Sequence, residues 1–237
     1  MSAPALYAKP RMSPAGDAAL LVEIGEGIDE TVNRTVHRLV VALGRRSLAG
    51  VLDLIPAYRS LLVCYDPLRL PLDALQDTVA RLVETLADIE LPSPRTVDIP
   101  TCYGGECGPD LALVAEHNGL SADEVVAIHA GTPCTVFMMG FSPGFVYLGG
   151  MSPRIATPRL KTPRTSIPAG SVGIAGEQTG IYPVQSPGGW QVIGRTPVTL
   201  FDPGRTPPTL VEPGDIIRFV VIDAGRYEEL SGVGSQR

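Results

Sequence analysis

Little in this 237-residue sequence equips it for nucleophilic, zinc-dependent or membrane-spanning work. Histidines number three (His37, His117 and His129) and are scattered, so no Ser/His/Asp triad assembles from the sequence. Ser186, in QSPGG, lacks the G-x-S-x-G spacing of a nucleophile elbow. Of the four cysteines (Cys64, Cys102, Cys107 and Cys134), only Cys102 and Cys107 are close. Zinc ligands usually come in two tight pairs, so no metal site is expected and the thiols read as reduced. No G-x-x-x-x-G-K-[ST] phosphate loop occurs, and GSVGIAG (170–176) lacks the following helix that a dinucleotide fold requires. No apolar run approaches the roughly 18 residues of a membrane span, and MSAPALYAKPRMSPAGD lacks the apolar core of a signal peptide. The expectation is a cytoplasmic protein. Residues 109–130 have a helix–turn–helix outline but contain neither Lys nor Arg. Such a helix cannot neutralise phosphates, and with a pI near 5.1 no nucleic-acid partner is expected.

What is present is concentrated between Gly140 and Trp190. The segments GFSPGFVYLGG and PRTSIPAGSVGIAGEQTGIYPVQSPGGW interleave glycine and proline with Val, Ile, Phe and Tyr. Glycine permits positive φ and close backbone approach, and proline stiffens the turns around it, so short strands joined by shaped loops follow. From Phe141 to Leu200 the charged residues are Arg154, Arg159, Lys161, Arg164, Glu177 and Arg195, a local net of +4 in a chain whose net is −6. A cationic island in an acidic chain fits a site for carboxylate or phosphate. It equally fits solvated arginines beside turn glycines.

The rest of the chain divides in two. In residues 1–92, DAALLVEIG (17–25), VLDLIPAY (51–58) and SLLVCYD (60–66) read as strands. One helical face carries Ile28, Val32, Val36, Leu39, Val40 and Leu43, and another carries Leu72, Leu75, Val79, Leu82, Val83 and Leu86. Strand, helix, strand, strand, helix suggests a split βαβ layer with helices on one face. ELPSPR (90–95) reads as a linker. In residues 93–237, a strand at 96–100 and short helices at 109–118 and 122–130 precede β runs spaced by SPGG, DPG and EPGD turns. That pattern predicts a closed or nearly closed all-β domain. The residues from Ala224 on read as a loose tail.

A binding constellation emerges from the glycine-rich region. Arg159, Arg164 and Arg195 offer forked donors to an anion. Ser171, Gln178, Thr179 and Ser186 offer neutral hydrogen bonds, beside Tyr182 and the close-approach glycines Gly188 and Gly189. Phe141, Pro143, Gly144, Phe145, Tyr147 and Trp190 are candidate pocket walls, although ordinary β-domain core explains the rings as well. His129, on an acidic helix, reads as structural.

These blocks carry a resemblance. GDAALLVEIG, IPAYRSLLVCYDP, YGGECGPDL, NGLSADEVVAIHA, GFSPGFVYLGG, PRTSIPAGSVGIAG, QTGIYPVQSPGGWQVIGRTP, LFDP and PGDIIRF, in this order from about residue 16 to residue 219, resemble the family of the small (B) component of bacterial 5-oxoprolinase. That family is also described as allophanate hydrolase subunit 1 and as a sporulation-kinase inhibitor, and it is carboxyltransferase-related. Val146 stands where the family pattern carries proline. The resemblance implies an α+β chain: a small ferredoxin-like N-terminal domain, then a cyclophilin-like β-barrel. It implies a hetero-oligomer with a larger 5-oxoprolinase subunit (the C component, or allophanate hydrolase subunit 2 type) and a third, ring-opening subunit. It implies ATP with Mg²⁺ as the activating cosubstrate, used to phosphorylate the lactam oxygen of 5-oxoproline before opening to glutamate. No Mg²⁺ ligand motif is evident, and no Met-Lys biotin attachment segment occurs. A urea or allophanate pathway role and kinase inhibition are the alternatives within the same family.

Overall fold

The computed structural model describes residues 6–234, which fall into two compact units divided between Ser93 and Pro94. The first contains β1 (Leu6–Pro14), β2 (Ala19–Gly25), α1 (Glu30–Arg46), β3 (Val51–Pro56), β4 (Ser60–Tyr65) and α2 (Leu72–Val83). Its sheet order is β1-β2-β4-β3, antiparallel throughout. Alternation sets the layers: Leu20, Val22, Ile24, Leu61, Val63 and Tyr65 are buried against Val32, Val36, Leu39 and Leu43 of α1 and Leu75, Val79 and Leu82 of α2. Asp29 starts α1 by accepting from the Thr31 and Val32 amides, and Ser47 ends it with a left-handed φ of 43°.

Helix α1 joins β2 to β3 with β4 lying between them, which is the split βαβ arrangement. The outer strand β1 was not anticipated. LYAKPRMSP has no period-two apolar pattern and carries two prolines, which an edge strand tolerates and a central strand does not. It also changes the topology: a ferredoxin-like chain supplies this strand after its second helix, whereas here it precedes the first.

The second unit contains β5 (Thr96–Tyr103), α3 (Leu111–Asn118), α4 (Ala122–Gly131), β6 (Cys134–Met139), β7 (Val146–Gly149), β8 (Arg164–Ile167), β9 (Ser171–Ala175), β10 (Gln178–Ile181), β11 (Ser186–Gly188), β12 (Gln191–Arg195), β13 (Ile216–Ile222) and α5 (Ala224–Gly234). Seven strands close into a barrel in the order β10-β7-β6-β13-β5-β12-β9, while β8 and β11 form a separate two-stranded ribbon. The protein is thus mixed α/β with a closed seven-stranded barrel. Ile99, Val136, Val146, Leu148, Val172, Ile174, Ile181, Ile193 and Ile217 fill the core. Ser121 opens α4 in a reciprocal capping box with Glu124, which stabilises the helix by about 1 kcal/mol. Arg95 holds both carboxylate oxygens of Asp215 through its Nε and Nη2, and Asp215 also accepts from the Glu212 amide, so the EPGD turn is tied to the start of β5.

The segment from Ala224 forms α5 and is not a loose tail; Tyr227 on it lies 5.9 Å from the Arg195 guanidinium. Its sequence, AGRYEELSGVG, holds too few apolar residues to show a helical stripe. Among the described residues no helix is long and apolar enough to cross a membrane.

Candidate functional site

The barrel presents one unusual outer face, made by β7, β10, β9 and β12. Register places Tyr147, Gly180, Gly173 and Val192 side by side across the four strands. Phe145, Tyr182, Trp190, Val192 and Ala175 form a cluster there with Ile167 from the ribbon and Tyr147 at its margin. The indole of Trp190 lies close over Gly173 and Gly180, which have no side chains to hold it away. A Cβ on Gly173 would meet the Trp190 Cβ at 3.1 Å, and one on Gly180 would meet the ring at 3.0 Å. Phe145 stands edge-on to Tyr182 at 4.9 Å and to Trp190 at 5.6 Å, and tilts against Tyr147 at 4.6 Å. Each such pair adds roughly 0.5–1.5 kcal/mol beyond burial. Gly188 of the ribbon closes over this nest: a Cβ there would sit 2.4 Å from the Tyr182 hydroxyl. Burial pushes the Tyr182 phenol up to about 12, against the opposing pull of a backbone hydrogen bond from Trp190 and of Arg159 and Arg164 nearby.

The arginines do not converge as a trio. Arg159 is exposed, with its guanidinium 5.8 Å from the Trp190 ring. Arg164 is committed: it pairs with buried Asp110 at 2.6 Å and donates to the Trp190 carbonyl at 3.4 Å. Asp110 in turn accepts from the Val192 amide at 2.7 Å. Arg195 lies at the far end of β12, five residues beyond Trp190, or about 16 Å along the strand. It donates to the Ala169 carbonyl at 2.9 Å and stands across from Ser171. Arg195 and Ser171 are thus at the opposite end of β12 from Trp190.

Thr179 also leaves the constellation. Period-two alternation turns it into the barrel, where it is fully buried and bonded to His129 Nε2 at 2.8 Å and to the Gly173 carbonyl at 3.0 Å. His129 Nδ1 is 2.7 Å from the Tyr103 hydroxyl. Thr179 spends its hydroxyl proton on Gly173, so donor counting assigns Nε2–H to a neutral His129 that accepts from Tyr103. Burial holds the His129 pKa down at about 3. This is a satisfied structural network, as expected for His129.

Gln178, across from Ala175 on the outer face, is 9% exposed, and its Nε2 finds no protein acceptor. Ser186 Oγ on the ribbon is likewise buried without a partner. Gly189 accepts the Leu160 amide at 2.7 Å, which fixes the loop carrying Arg159. Pro143 and Gly144 sit instead in the β6–β7 loop, which lines an open hollow of about 400 Å³, and Phe141 at its tip stands edge-on to Phe145 at 5.5 Å. Asp110 was missed: in YGGECGPDL it reads as an ordinary helix-start acid, and nothing local marks its burial.

The face brings together a rim arginine, a buried carboxamide and a buried aromatic cluster, and of these only Arg159 is open to solvent; an arginine beside aromatic rings is chemistry suited to a carboxylate. The whole face lies within the span that matches the model of the carboxyltransferase domain, subdomain C and D, which covers residues 10–211. The chain belongs to this carboxyltransferase-domain family. It is similar to the B component of 5-oxoprolinase from Bacillus subtilis, with 48% identity over 90% of this chain and 92% of that one. It is also similar to the same component from Escherichia coli O157:H7, with 42% identity over 86% of this chain and 93% of that one. Among solved structures it resembles TTHA0988 at a TM-score of 0.75 and 39% identity; 87% of this chain is covered, but only 40% of that longer chain. The family thus includes proteins in which a unit of this fold is joined to considerably more polypeptide.

Proposed function

We propose that this chain is the small subunit of a cytoplasmic, ATP-dependent 5-oxoprolinase, inactive alone and assembled with a larger subunit and a ring-opening third subunit. The observation that carries this is the 48% identity to a 5-oxoprolinase B component over nearly the full length of both chains. In this reading Arg159 takes the substrate carboxylate at the rim of Trp190, and the unpartnered Gln178 amide donates to the lactam carbonyl. Arg164, held by Asp110, fixes the floor and lends positive potential without binding directly. A lactam is a poor electrophile, and phosphorylating its oxygen supplies a leaving group. ATP brings that phosphoryl group and Mg²⁺ travels with it. Among the described residues no three His, Cys, Asp or Glu side chains converge as metal donors, so no magnesium site and no phosphoryl-transfer step is assigned to this chain. A cyclophilin-like label for the second unit, and for the first a ferredoxin-like label in permuted form with its edge strand ahead of the first helix, belong to the same proposal.

The test is co-expression with the larger and third subunits, followed by an assay for ATP-dependent glutamate release from 5-oxoproline. Release is expected from the assembly and absent from this chain alone. An assembly that consumes urea or allophanate and ignores 5-oxoproline refutes the reading.

A further inference from the structure

From Ala130 to Pro153 the sequence contains no charged residue, although 19% of the chain is charged. At that content roughly four or five charges are expected in such a span. The β6–β7 hairpin occupies most of it. Burial accounts for Cys134, Val136, Phe137, Phe145, Val146 and Leu148, but not for the tip, where Phe141 is 64% exposed and Pro143 is exposed, beside the partly buried Met138 and Met139. An exposed aromatic beside partly buried methionines, with no charge nearby in sequence, is the composition of a protein interface core.

The tip is also strained and rigid. Phe141 has φ of +68°, a left-handed conformation in which a bulky L-residue is an outlier. Gly140 accepts from the Ser142 amide at 2.8 Å and donates to the Phe145 carbonyl at 3.2 Å, and the Phe145 amide donates to the Ser142 carbonyl at 3.0 Å. Gly144 is pressed against Phe201 so closely that a Cβ would meet the Phe201 Cβ at 2.6 Å. Beside Phe141 lies the open hollow lined by Met139, Gly140, Ser142 and Pro143, and the Ser142 hydroxyl is buried with no partner. Rigid display of a strained aromatic, next to a hollow with one unsatisfied hydroxyl, is a preformed anchor with low ordering cost.

We propose that this hairpin tip is where a companion polypeptide docks, with Phe141 inserting into the partner and an apolar side chain of the partner filling the hollow while one of its polar groups meets Ser142. The occupant is the larger subunit, so the inference rests on the subunit reading. That a chain of this fold makes up only 40% of TTHA0988 supports a polypeptide as the neighbour of the fold.

The experiment is co-purification of the untagged larger subunit with the tagged full chain. Phe141→Glu is expected to reduce capture at least about tenfold, while Leu113→Glu, at an exposed position on α3, leaves it intact. Trp190 fluorescence in urea checks that both variants fold. Phe141→Gly separates docking from folding: it relieves the positive φ, so its urea midpoint stays level or rises while capture falls. Capture of the larger subunit by Phe141→Glu at the wild-type level, or no capture by the wild type, overturns the proposal. So does light scattering that shows the tip holding two copies of this chain together. An assembly that forms through Phe141 yet leaves 5-oxoproline untouched upholds the docking face and refutes the proposed activity.

Discussion

His129 makes stability of the barrel unit depend on pH in a way that can be calculated. Its ring is 1% exposed, packed 4.4 Å from Phe219, with both nitrogens bonded to neutral hydroxyls of Tyr103 and Thr179. No counter-charge contributes, and burial alone holds the pKa at about 3, against 6.5 for an ordinary imidazole. Between those values the unfolded chain takes up a proton that the folded chain refuses. Stability from this residue is therefore complete above pH 6.5 and declines as pH falls through the window. At pH 5 the loss is about 2 kcal/mol, since each unit of displacement is worth about 1.4 kcal/mol. With a urea m-value of about 2 kcal/mol/M, the midpoint drops by roughly 1 M between pH 7 and pH 5. Trp190, the single tryptophan, lies in the barrel unit and reports its unfolding by fluorescence. The comparison is His129→Gln, whose carboxamide keeps one donor and one acceptor but does not titrate. Carboxylates and the other histidines contribute equally to both proteins and cancel in the difference. The variant loses some stability at pH 7 through imperfect geometry, yet its pH 7 to pH 5 drop is smaller by about 2 kcal/mol. Equal pH dependence in the two proteins refutes the assignment of His129 as buried and neutral.

Asp110→Ala removes the partner of Arg164 and the acceptor of the Val192 amide. A loss of about 2–4 kcal/mol in urea unfolding is expected, less than for a fully buried pair because the Arg164 side chain is 33% exposed; a loss under about 1 kcal/mol contradicts the buried-pair account. Gly180→Ala drives a methyl toward the Val146 carbonyl at 2.7 Å and Trp190 at 3.0 Å, so a loss of about 1–3 kcal/mol with a shifted Trp190 emission maximum is expected, and unchanged emission would show that the indole does not lie on this glycine. In the proposed 5-oxoprolinase assembly, Arg159→Ala is expected to raise the KM for 5-oxoproline by about tenfold or more, as loss of a charge-assisted bond does. Arg195→Ala leaves it within about threefold, and the reverse pattern relocates the carboxylate to the other end of β12.

The helices of the first unit were legible because Val32, Val36, Leu39 and Leu43 repeat at helical spacing and their burial follows from that repeat alone. Strand β1 was not, because its prolines look like breakers until β2 supplies the pairing partner. Asp110 shows the harder limit: its partners Arg164 and Val192 stand 54 and 82 residues away. No local pattern announces a charge pair that exists only once the barrel closes.

The misplacement of Thr179 is of another kind, since the information was available. Gln178, Thr179 and Gly180 are consecutive in a strand, so Gln178 and Gly180 must share one face while Thr179 takes the other. Counted only as hydrogen-bonding residues, Gln178 and Thr179 could meet one ligand; as neighbours in a strand, they cannot. The same parity explains which of the candidate residues share one face. Tyr147, Gly173, Gly180 and Val192 fall in register on one face, and the two glycines leave the space that Trp190 fills. Glycine spacing within β9 and β10 therefore encodes where the indole lies. The +4 charge of the region encodes less, because two of its three candidate arginines are tied to the fold, Arg164 through Asp110 and Arg195 through Ala169. Composition located the face, and strand parity decides which residues on it can act together.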